Sequence, residues 1–416
     1  MATSPRLGAG GLAERDLHAP QAERLQSVDL LRGLVMVIMA LDHVRDFVTN
    51  VRFTPEDLAL TWPALFFTRW ITHFCAPAFF LLAGTGAYLS ALRGKPTSAV
   101  SGFLLKRGLW LVLLEITIID FGWTFMPTPI AGVVWALGWS MAVLAAVVWL
   151  PSHWVGIIGI AVCVGHHALD HIDRAAFGAL APLWTLLHQP GVIWIRKPDV
   201  FTLGLYSLIP WFGVMAAGYA LGAVLKRPDR RRMLLWIGGG MTLLFFVLRA
   251  TGIYGQPPAE AVLLPYTAGP FVPQADAVMS VVAFLNVNKY PPSLQFLLMT
   301  LGPSLMALAW FDRFTFRSAA GRLGKAIIVF GRVPMFFYIL HIFVVHIVAV
   351  LLAVVSGQPY KFLLQGGFFF GLPPGYGHGL PVVYAVWIAC IVLLYWPCAW
   401  YERLKVRRKD SWLRYV

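Results

Sequence analysis

Ionisable side chains occur inside the first long hydrophobic stretch of the chain. Arg32 lies near one end of this stretch, and the Asp42/His43 pair lies about three turns further along. Each ionised group inside hydrocarbon costs at least ~2.5 kcal/mol, even on the most lenient insertion scale. Histidine has an unperturbed pKa of about 6.5, so it can take a proton from a hydroxyl or amine, or hold an acyl group briefly. The pattern predicts chemistry within a membrane, with His43 as general base or transient acyl carrier.

Two further predicted helices carry ionisable residues that could join His43. The second contains His73, and the third carries Glu115 at mid-span, where a lone carboxylate needs a partner. We expect both to assist catalysis, with Glu115 paired to a histidine or an arginine of a neighbouring helix. For His73, packing as a satisfied polar residue beside a kink at Pro77 is an equally good interpretation.

Three residues are predicted to contact the substrate: Asp42, Arg69 and His341. His341 lies on the ninth predicted span, at a depth near that of His43. Asp42 comes directly before His43 on the same helix, so the two side chains point about 100° apart. A carboxylate from another helix would therefore orient His43 better than Asp42.

Basic residues mark one edge of the predicted membrane domain. Arg32, Lys106 and Arg107 are predicted to bind a phosphate-bearing donor there, because Arg and Lys pair with phosphates. Each of them could equally be an interface anchor, and Asp29 can neutralise Arg32 at i, i+3.

A histidine-rich segment ends the fifth predicted span. His167 and His171 share one helical face, as do His166 and Asp170, and i, i+4 spacing can bind zinc. No further ligand motif accompanies them, so we expect a polar mouth or substrate contact and no metal. Four cysteines lie in apolar stretches without paired spacing, which predicts neither a disulfide framework nor a zinc motif.

The composition predicts an integral membrane protein of the all-α class, a polytopic helical bundle. The 416 residues are 59% hydrophobic and 12% charged, whereas soluble domains carry roughly 25% charged residues. The formal charge of +14 would suggest nucleic acid in a soluble protein. Here the basic bias of cytoplasmic loops explains it, so no nucleic-acid partner is expected.

About ten transmembrane helices are predicted, each near 20 apolar residues. They cover 28–49, 64–92, 102–124, 129–150, 154–171, 203–225, 232–253, 293–312, 325–355 and 381–402. The connections alternate between basic segments and long segments poor in charge, so both termini are predicted to be cytoplasmic. The expected organisation is a flexible cytoplasmic tail without a signal peptide (1–26), a transmembrane domain (27–403) and a basic cytoplasmic tail (404–416). The Pro- and aromatic-rich outer loops are either ordinary loops or a lid over an outward-facing site.

Several segments resemble a known family. The run from Ser27 to Gly33, followed by ten residues between Arg32 and His43, resembles the first-helix signature of transmembrane acyltransferases. The remainder is similar to bacterial relatives of heparan-alpha-glucosaminide N-acetyltransferase. The segments that carry this likeness are 69–84, 209–215, 288–294, 330–341 and the stretch from Tyr395 to the basic tail.

The resemblance implies acyl transfer across a bacterial inner membrane. Cytoplasmic acyl-coenzyme A, typically acetyl-coenzyme A, would be the donor, and a sugar or glycan on the far side the acceptor. The chain departs from the family pattern twice: residues 50–63 lack the histidine proposed as active in that enzyme, and His73 stands where its second helix has an aspartate. Homodimer formation is a further expectation.

Two other functions fit the same buried charges. A proton-coupled transporter or flippase would use them as a relay, and a scaffold for polysaccharide assembly would use them for helix pairing. The absence of a convincing internal repeat weakly disfavours the inverted-repeat transporter folds.

Overall fold

The protein is a helical bundle, seen here in a computed structural model that describes residues 25–91, 94–196, 200–257, 268–313, 319–366 and 371–408. The helices are α1 Gln26–Val48, α2 Pro63–Trp70, α3 Cys75–Ala91, α4 Thr97–Leu114, α5 Asp120–Thr124, α6 Val133–Val147, α7 Ser152–Gly165, α8 Ala181–Leu187, α9 Leu208–Val224, α10 Arg230–Thr251, α11 Ala277–Leu285, α12 Leu294–Phe311, α13 Ala319–Arg332, α14 Pro334–Val355 and α15 Leu380–Arg407. A 3₁₀ turn, Ile71–Phe74, joins α2 to α3, and a π turn, Glu115–Ile119, joins α4 to α5.

Helix α1 lies at the centre of the bundle, where it packs against α3, α12, α13, α14 and α15. Two glycines allow its close approach to α13. A β-carbon on Gly33 would collide with the carbonyl of Ile327, and one on Gly331 would collide with the carbonyl of Asp29. Helix α1, which carries His43 and five other ionisable residues, is therefore shielded by other helices on several sides.

Six helical segments within the described residues are long and apolar enough to cross a membrane: Pro63–Ala91, Ser152–Leu169, Arg230–Thr251, Leu294–Phe311, Pro334–Val355 and Leu380–Arg407. Ten spans were predicted. Helices α6 and α9 are apolar but shorter, at 15 and 17 residues.

The predicted ninth span, 325–355, contains Pro334, which is expected to break or kink the helix, and the structure confirms the break. It consists of α13 and α14, which are separated at Val333. Pro334 opens α14, and proline has no backbone N–H to continue a preceding helix and clashes with its last turn.

Long segments gather at one end of the bundle, which we call the loop end. The Asn286 amide there donates to the Glu56 carbonyl (2.8 Å), and the Gly366 N–H donates to the Thr124 carbonyl (3.1 Å). A small sheet also lies in these segments, with β1 Ile130–Ala131 parallel to β3 Val200–Gly204 and β2 Gly191–Arg196 antiparallel to β3. The all-α prediction missed this sheet.

The opposite end, which we call the basic end, is held by ion pairs between helices. Arg230 pairs with Asp312 (2.8 Å), and Arg332 pairs with Glu402 (2.6 Å). The predicted tails lie largely outside the described residues, at 1–24 and 409–416. Leu404 to Arg407, predicted as tail, continues α15.

Candidate active site

A cavity of about 200 Å³ lies where α1 approaches the loop end. Helices α1, α2, α3, α5, α6 and α14, the 3₁₀ turn, the π turn and three loop-end segments contribute its walls. Its lining includes Asp42, His43, Arg45, Asp46, Arg69, Thr72, Cys75, Phe79, Glu115, Asp120, Trp123, Val133, Tyr206, Lys289, Tyr290 and Tyr338. Four predicted site residues are thus brought together here: His43, Asp42, Arg69 and Glu115.

His43 is hydrogen-bonded to a second histidine. Its Nδ1 lies 2.7 Å from Nε2 of His341, although the two residues are 298 positions apart in the sequence. The other His341 nitrogen, Nδ1, lies 3.1 Å from the carbonyl oxygen of Phe337. A carbonyl oxygen only accepts, so Nδ1 of His341 carries a proton and donates it.

This network assigns the tautomers of both rings. In a neutral His341 protonated at Nδ1, Nε2 holds the lone pair and accepts from the Nδ1–H of His43. The Nε2 of a neutral His43 is then unprotonated, as a general base requires. His341, predicted as a substrate contact, is fully buried and is hydrogen-bonded to His43.

Two aromatic residues surround this pair. The Trp123 ring packs edge-on against His43 with centroids 4.8 Å apart, and the Tyr338 ring lies 5.2 Å from His341. Tyr338 also lines the first cavity, so its hydroxyl can donate to a ligand there.

A network of ion pairs forms the loop-end wall of the cavity. Asp42 pairs with Arg45 (2.9 Å) and with Arg69, and Arg69 also bonds Glu56 (2.8 Å). Burial alone would raise the pKa of the Glu56 carboxyl, but the Arg69 charge and the hydrogen bond with His73 hold it well below its usual value. Asp42 and Arg69, predicted to bind substrate, thus also stabilise each other.

Glu115 has a different partner from the predicted one. It accepts backbone N–H groups of Val134 and Trp135, in the first turn of α6, and Gly132 leaves room for its approach. Its Oε2 and the Oδ1 of Asp120 are buried with no hydrogen-bond partner among the described residues. Residues five apart in an α-helix point about 140° apart, and the i→i+5 bonding of the π turn brings both carboxylates to the cavity.

A second cavity of about 260 Å³ adjoins the first, and its lining is mainly apolar. The two cavities share three lining residues, Phe79, Val133 and Tyr338, which we call the shared wall. Arg32 and Arg107 line the second cavity as well, consistent with their predicted place beside a donor. No sequence pattern indicated this apolar passage, because α1, α3, α4, α6 and α14 each contribute only part of it.

Three predicted site residues line neither cavity: His341, described above, His73 and Lys106. His73 is buried, with its Nε2 3.5 Å from Glu56 Oε1 and its ring edge-on to Phe296. Lys106 is exposed on α4, whereas its neighbour Arg107 turns inward. Adjacent residues on a helix point about 100° apart, which explains the difference.

Sequence reasoning did not single out four residues of the first cavity: Trp123, Lys289, Tyr290 and Tyr338. Lys289 and Tyr290 belong to a loop without regular periodicity, and Tyr338 reads as one more aromatic residue of an apolar helix. The one signal in the sequence is a lysine within a largely apolar chain, because lysine is almost never fully buried without a partner.

The histidine-rich segment forms a separate cluster at the loop end. His167 lies 2.7 Å from Asp170, and His188, which was not predicted, lies 2.8 Å from the other oxygen of Asp170. Nitrogen and oxygen atoms of His166, His167 and Asp170 lie within 4.8 Å of one another, as metal ligands would. However, Nε2 of His167 accepts the Leu294 N–H, so Nδ1 carries the proton and is not free to ligate a metal. His171 is exposed.

The four cysteines, Cys75, Cys163, Cys390 and Cys398, are free thiols.

Comparison with known proteins identifies the family. A profile described as heparan-alpha-glucosaminide N-acetyltransferase, catalytic, matches residues 24–252, which is more than half of the chain. No curated protein matches the chain. His43, Arg69 and Glu115 lie within the matched residues, whereas Lys289 and His341 lie beyond them. Together with the multi-pass helical bundle, the match indicates a membrane acetyltransferase. The chain belongs to the heparan-alpha-glucosaminide N-acetyltransferase catalytic family.

Proposed function

We propose that this chain transfers an acetyl group from acetyl-coenzyme A to an amine or hydroxyl of a sugar or glycan. The observation that carries the proposal is His43, which is hydrogen-bonded to His341 and lines a polar cavity that shares a wall with an apolar one. The first cavity suits a polar acceptor, and the second suits the long arm of a thioester donor.

The donor would occupy the second cavity. Arg32 and Arg107 would bind the phosphates of coenzyme A, and the apolar lining would enclose its extended arm. The thioester would then reach the shared wall of Phe79, Val133 and Tyr338. Lys106 is not part of this proposal, because it is exposed away from the cavity.

The chemical step follows from the tautomers. The acceptor nitrogen or oxygen attacks the thioester carbon while Nε2 of His43 takes its proton. The carbonyl oxygen becomes an oxyanion, which the Tyr338 O–H is placed to stabilise. The C–S bond then breaks, the acetyl group stays on the acceptor, and coenzyme A leaves as a thiol with the proton from His43. The same unprotonated Nε2 would also suit a nucleophile, so a transient acyl-histidine is the alternative to this direct transfer.

The orientation follows from the charges of the two ends. Cytoplasmic loops carry an excess of Lys and Arg, so the basic end would face the cytoplasm and the donor, and the loop end the acceptor. In a bacterium this places the chain in the inner membrane, with both termini inside.

The test is acetyl transfer by the purified full chain in proteoliposomes. Radiolabelled acetyl-coenzyme A with glucosamine or a glucosamine-ended oligosaccharide should give a labelled sugar and one free thiol per transfer. His43→Ala should lower the rate by at least about 100-fold, because general-base catalysis contributes about 10² to 10⁴. His153→Ala, which changes a histidine outside both cavities, is the matched control. Transfer at the wild-type rate by His43→Ala would overturn the mechanism, and no transfer by the wild type to any acceptor would overturn the function.

A further inference from the structure

Lys289 differs from the other cations of the first cavity. It lies in the segment between α11 and α12, is only 8% exposed, and lines the cavity. Arg45 and Arg69 each pair with two carboxylates. Within the described parts of the chain, Lys289 has no carboxylate oxygen within 4.0 Å and no side-chain hydrogen bond; its ammonium contacts the Tyr290 ring, 5.2 Å from the centroid.

The Asn288 side chain and a backbone hydrogen bond, not the lysine side chain, hold this segment in place. The Asn288 side chain both accepts from the Ala268 N–H (2.9 Å) and donates to the Ala268 carbonyl (3.0 Å). The Ser293 N–H donates to the Asn288 carbonyl (3.0 Å). Lys289 therefore has no evident role in fixing the loop, although burying a charged group without hydrogen-bond partners is costly.

The electrostatic environment beside Lys289 favours negative charge. Burial alone would raise the pKa of the neighbouring Tyr290 phenol, yet the charges of Lys289 and Arg69 hold it below its usual value. Positive charge thus outweighs burial at this wall, although Asp42 lies on the same cavity.

We propose that Lys289 binds an anionic group of the acceptor, a carboxylate or a phosphate carried next to the nucleophile. The proposal rests on the proposed function and narrows its acceptor class. An anionic oxygen would give the ammonium both the hydrogen bond and the countercharge that the protein does not supply at contact distance. The phosphates of the donor would bind on the far side of the shared wall, beside Arg32 and Arg107, so they do not compete for Lys289.

The Tyr206 and Tyr290 rings complete this subsite. They pack edge-on with centroids 5.4 Å apart, and both line the cavity beside Lys289. Aromatic rings of this kind present an apolar face to a sugar and a hydroxyl to its polar edge.

Binding of three probes to the purified full chain tests the proposal without requiring turnover. The probes are glucosamine, glucosamine 6-phosphate, and a disaccharide of glucuronic acid and glucosamine. The wild type should bind at least one anionic probe on the order of 10-fold to 100-fold more tightly than glucosamine, as expected for a charge-assisted hydrogen bond. The probe that shows the preference distinguishes phosphate from carboxylate.

Variants then assign the preference to the lysine. Lys289→Met should abolish it, and Lys289→Arg should keep most of it. Lys361→Met, which removes an exposed loop-end lysine outside the cavity, is the matched control and should bind as the wild type does. Monodispersity on size exclusion and an unchanged glucosamine affinity would show that Lys289→Met is folded.

Two results would overturn the proposal: equal affinity of the wild type for neutral and anionic probes, or an anion preference that survives in Lys289→Met. Failure of the proposed function looks different, because the wild type would then prefer an anionic probe yet acetylate none of the three.

Discussion

At the scale of single residues, the histidine pair sets the chemistry of the first cavity. Neither histidine contacts a carboxylate among the described residues, so the base is oriented by a second imidazole and, through it, by the Phe337 carbonyl. Such a partner orients the base without adding a negative charge beside it. The orientation therefore depends on a single acceptor atom, Nε2 of His341.

Substitution of His341 should separate positioning from packing. His341→Ala removes the acceptor that fixes the His43 tautomer, and we expect kcat to fall about 10-fold to 100-fold with little change in the KM for acetyl-coenzyme A. His341→Gln can place an amide oxygen near the lost nitrogen, so it should recover part of kcat. Steady-state kinetics on the purified variants measure both effects. Equal kcat values for the two variants would mean that the hydrogen bond does not matter.

At the scale of elements, three helices meet at the shared wall. Phe79 comes from α3, Val133 from the start of α6 and Tyr338 from α14. In the proposed complex, these side chains would limit the space beyond the thioester carbon. The wall therefore predicts a preference for short acyl groups.

Widening the wall should change acyl-chain selectivity. Phe79→Ala removes a half-buried ring from both cavities. We expect the ratio of butyryl to acetyl transfer to rise about 10-fold. The reason is that each methylene accommodated in an apolar pocket is worth about 1 kcal/mol or more. Rates with acetyl-, propionyl- and butyryl-coenzyme A measure the ratio. Phe246→Ala, on the exposed face of α10, should leave it unchanged. A fixed ratio in Phe79→Ala would show that the wall does not select the acyl group.

At the scale of the whole molecule, charge divides the bundle into two ends. Arginine-rich segments and interhelical ion pairs lie at one end, and the long segments that enclose the first cavity lie at the other. The two cavities lie between these ends and share a wall, so donor and acceptor would approach from opposite directions.

Cysteine labelling in intact cells checks this orientation. Ala59→Cys introduces a thiol in an exposed loop-end segment, and Lys226→Cys introduces one in an exposed basic-end segment. A membrane-impermeant maleimide should label the first in intact cells and the second only after permeabilisation, because basic segments face the cytoplasm. The wild type provides the baseline for its native cysteines, of which Cys75, Cys390 and Cys398 are buried. The reverse labelling pattern would contradict the proposed orientation.

The sequence by itself determined the membrane class and the helical character, and it singled out His43 as the candidate base. These features follow from local properties, because hydrocarbon demands apolar helices and penalises each ionisable group that it contains. The sequence singled out Arg32 and Arg107, which line the second cavity, in the same way. The break at Pro334 was also visible, although its consequence, two helices in place of one span, was not.

Only the tertiary structure decided which ionisable residues meet. The His43–His341 bond spans 298 positions, Glu115 turns to the start of α6 through a π turn, and His73 packs away from the cavity that His43 lines. A sequence gives the depth of a residue along a helix but not the direction that its face takes in the bundle. That direction depends on close contacts such as Gly33 against α13, which form only when all the helices pack together.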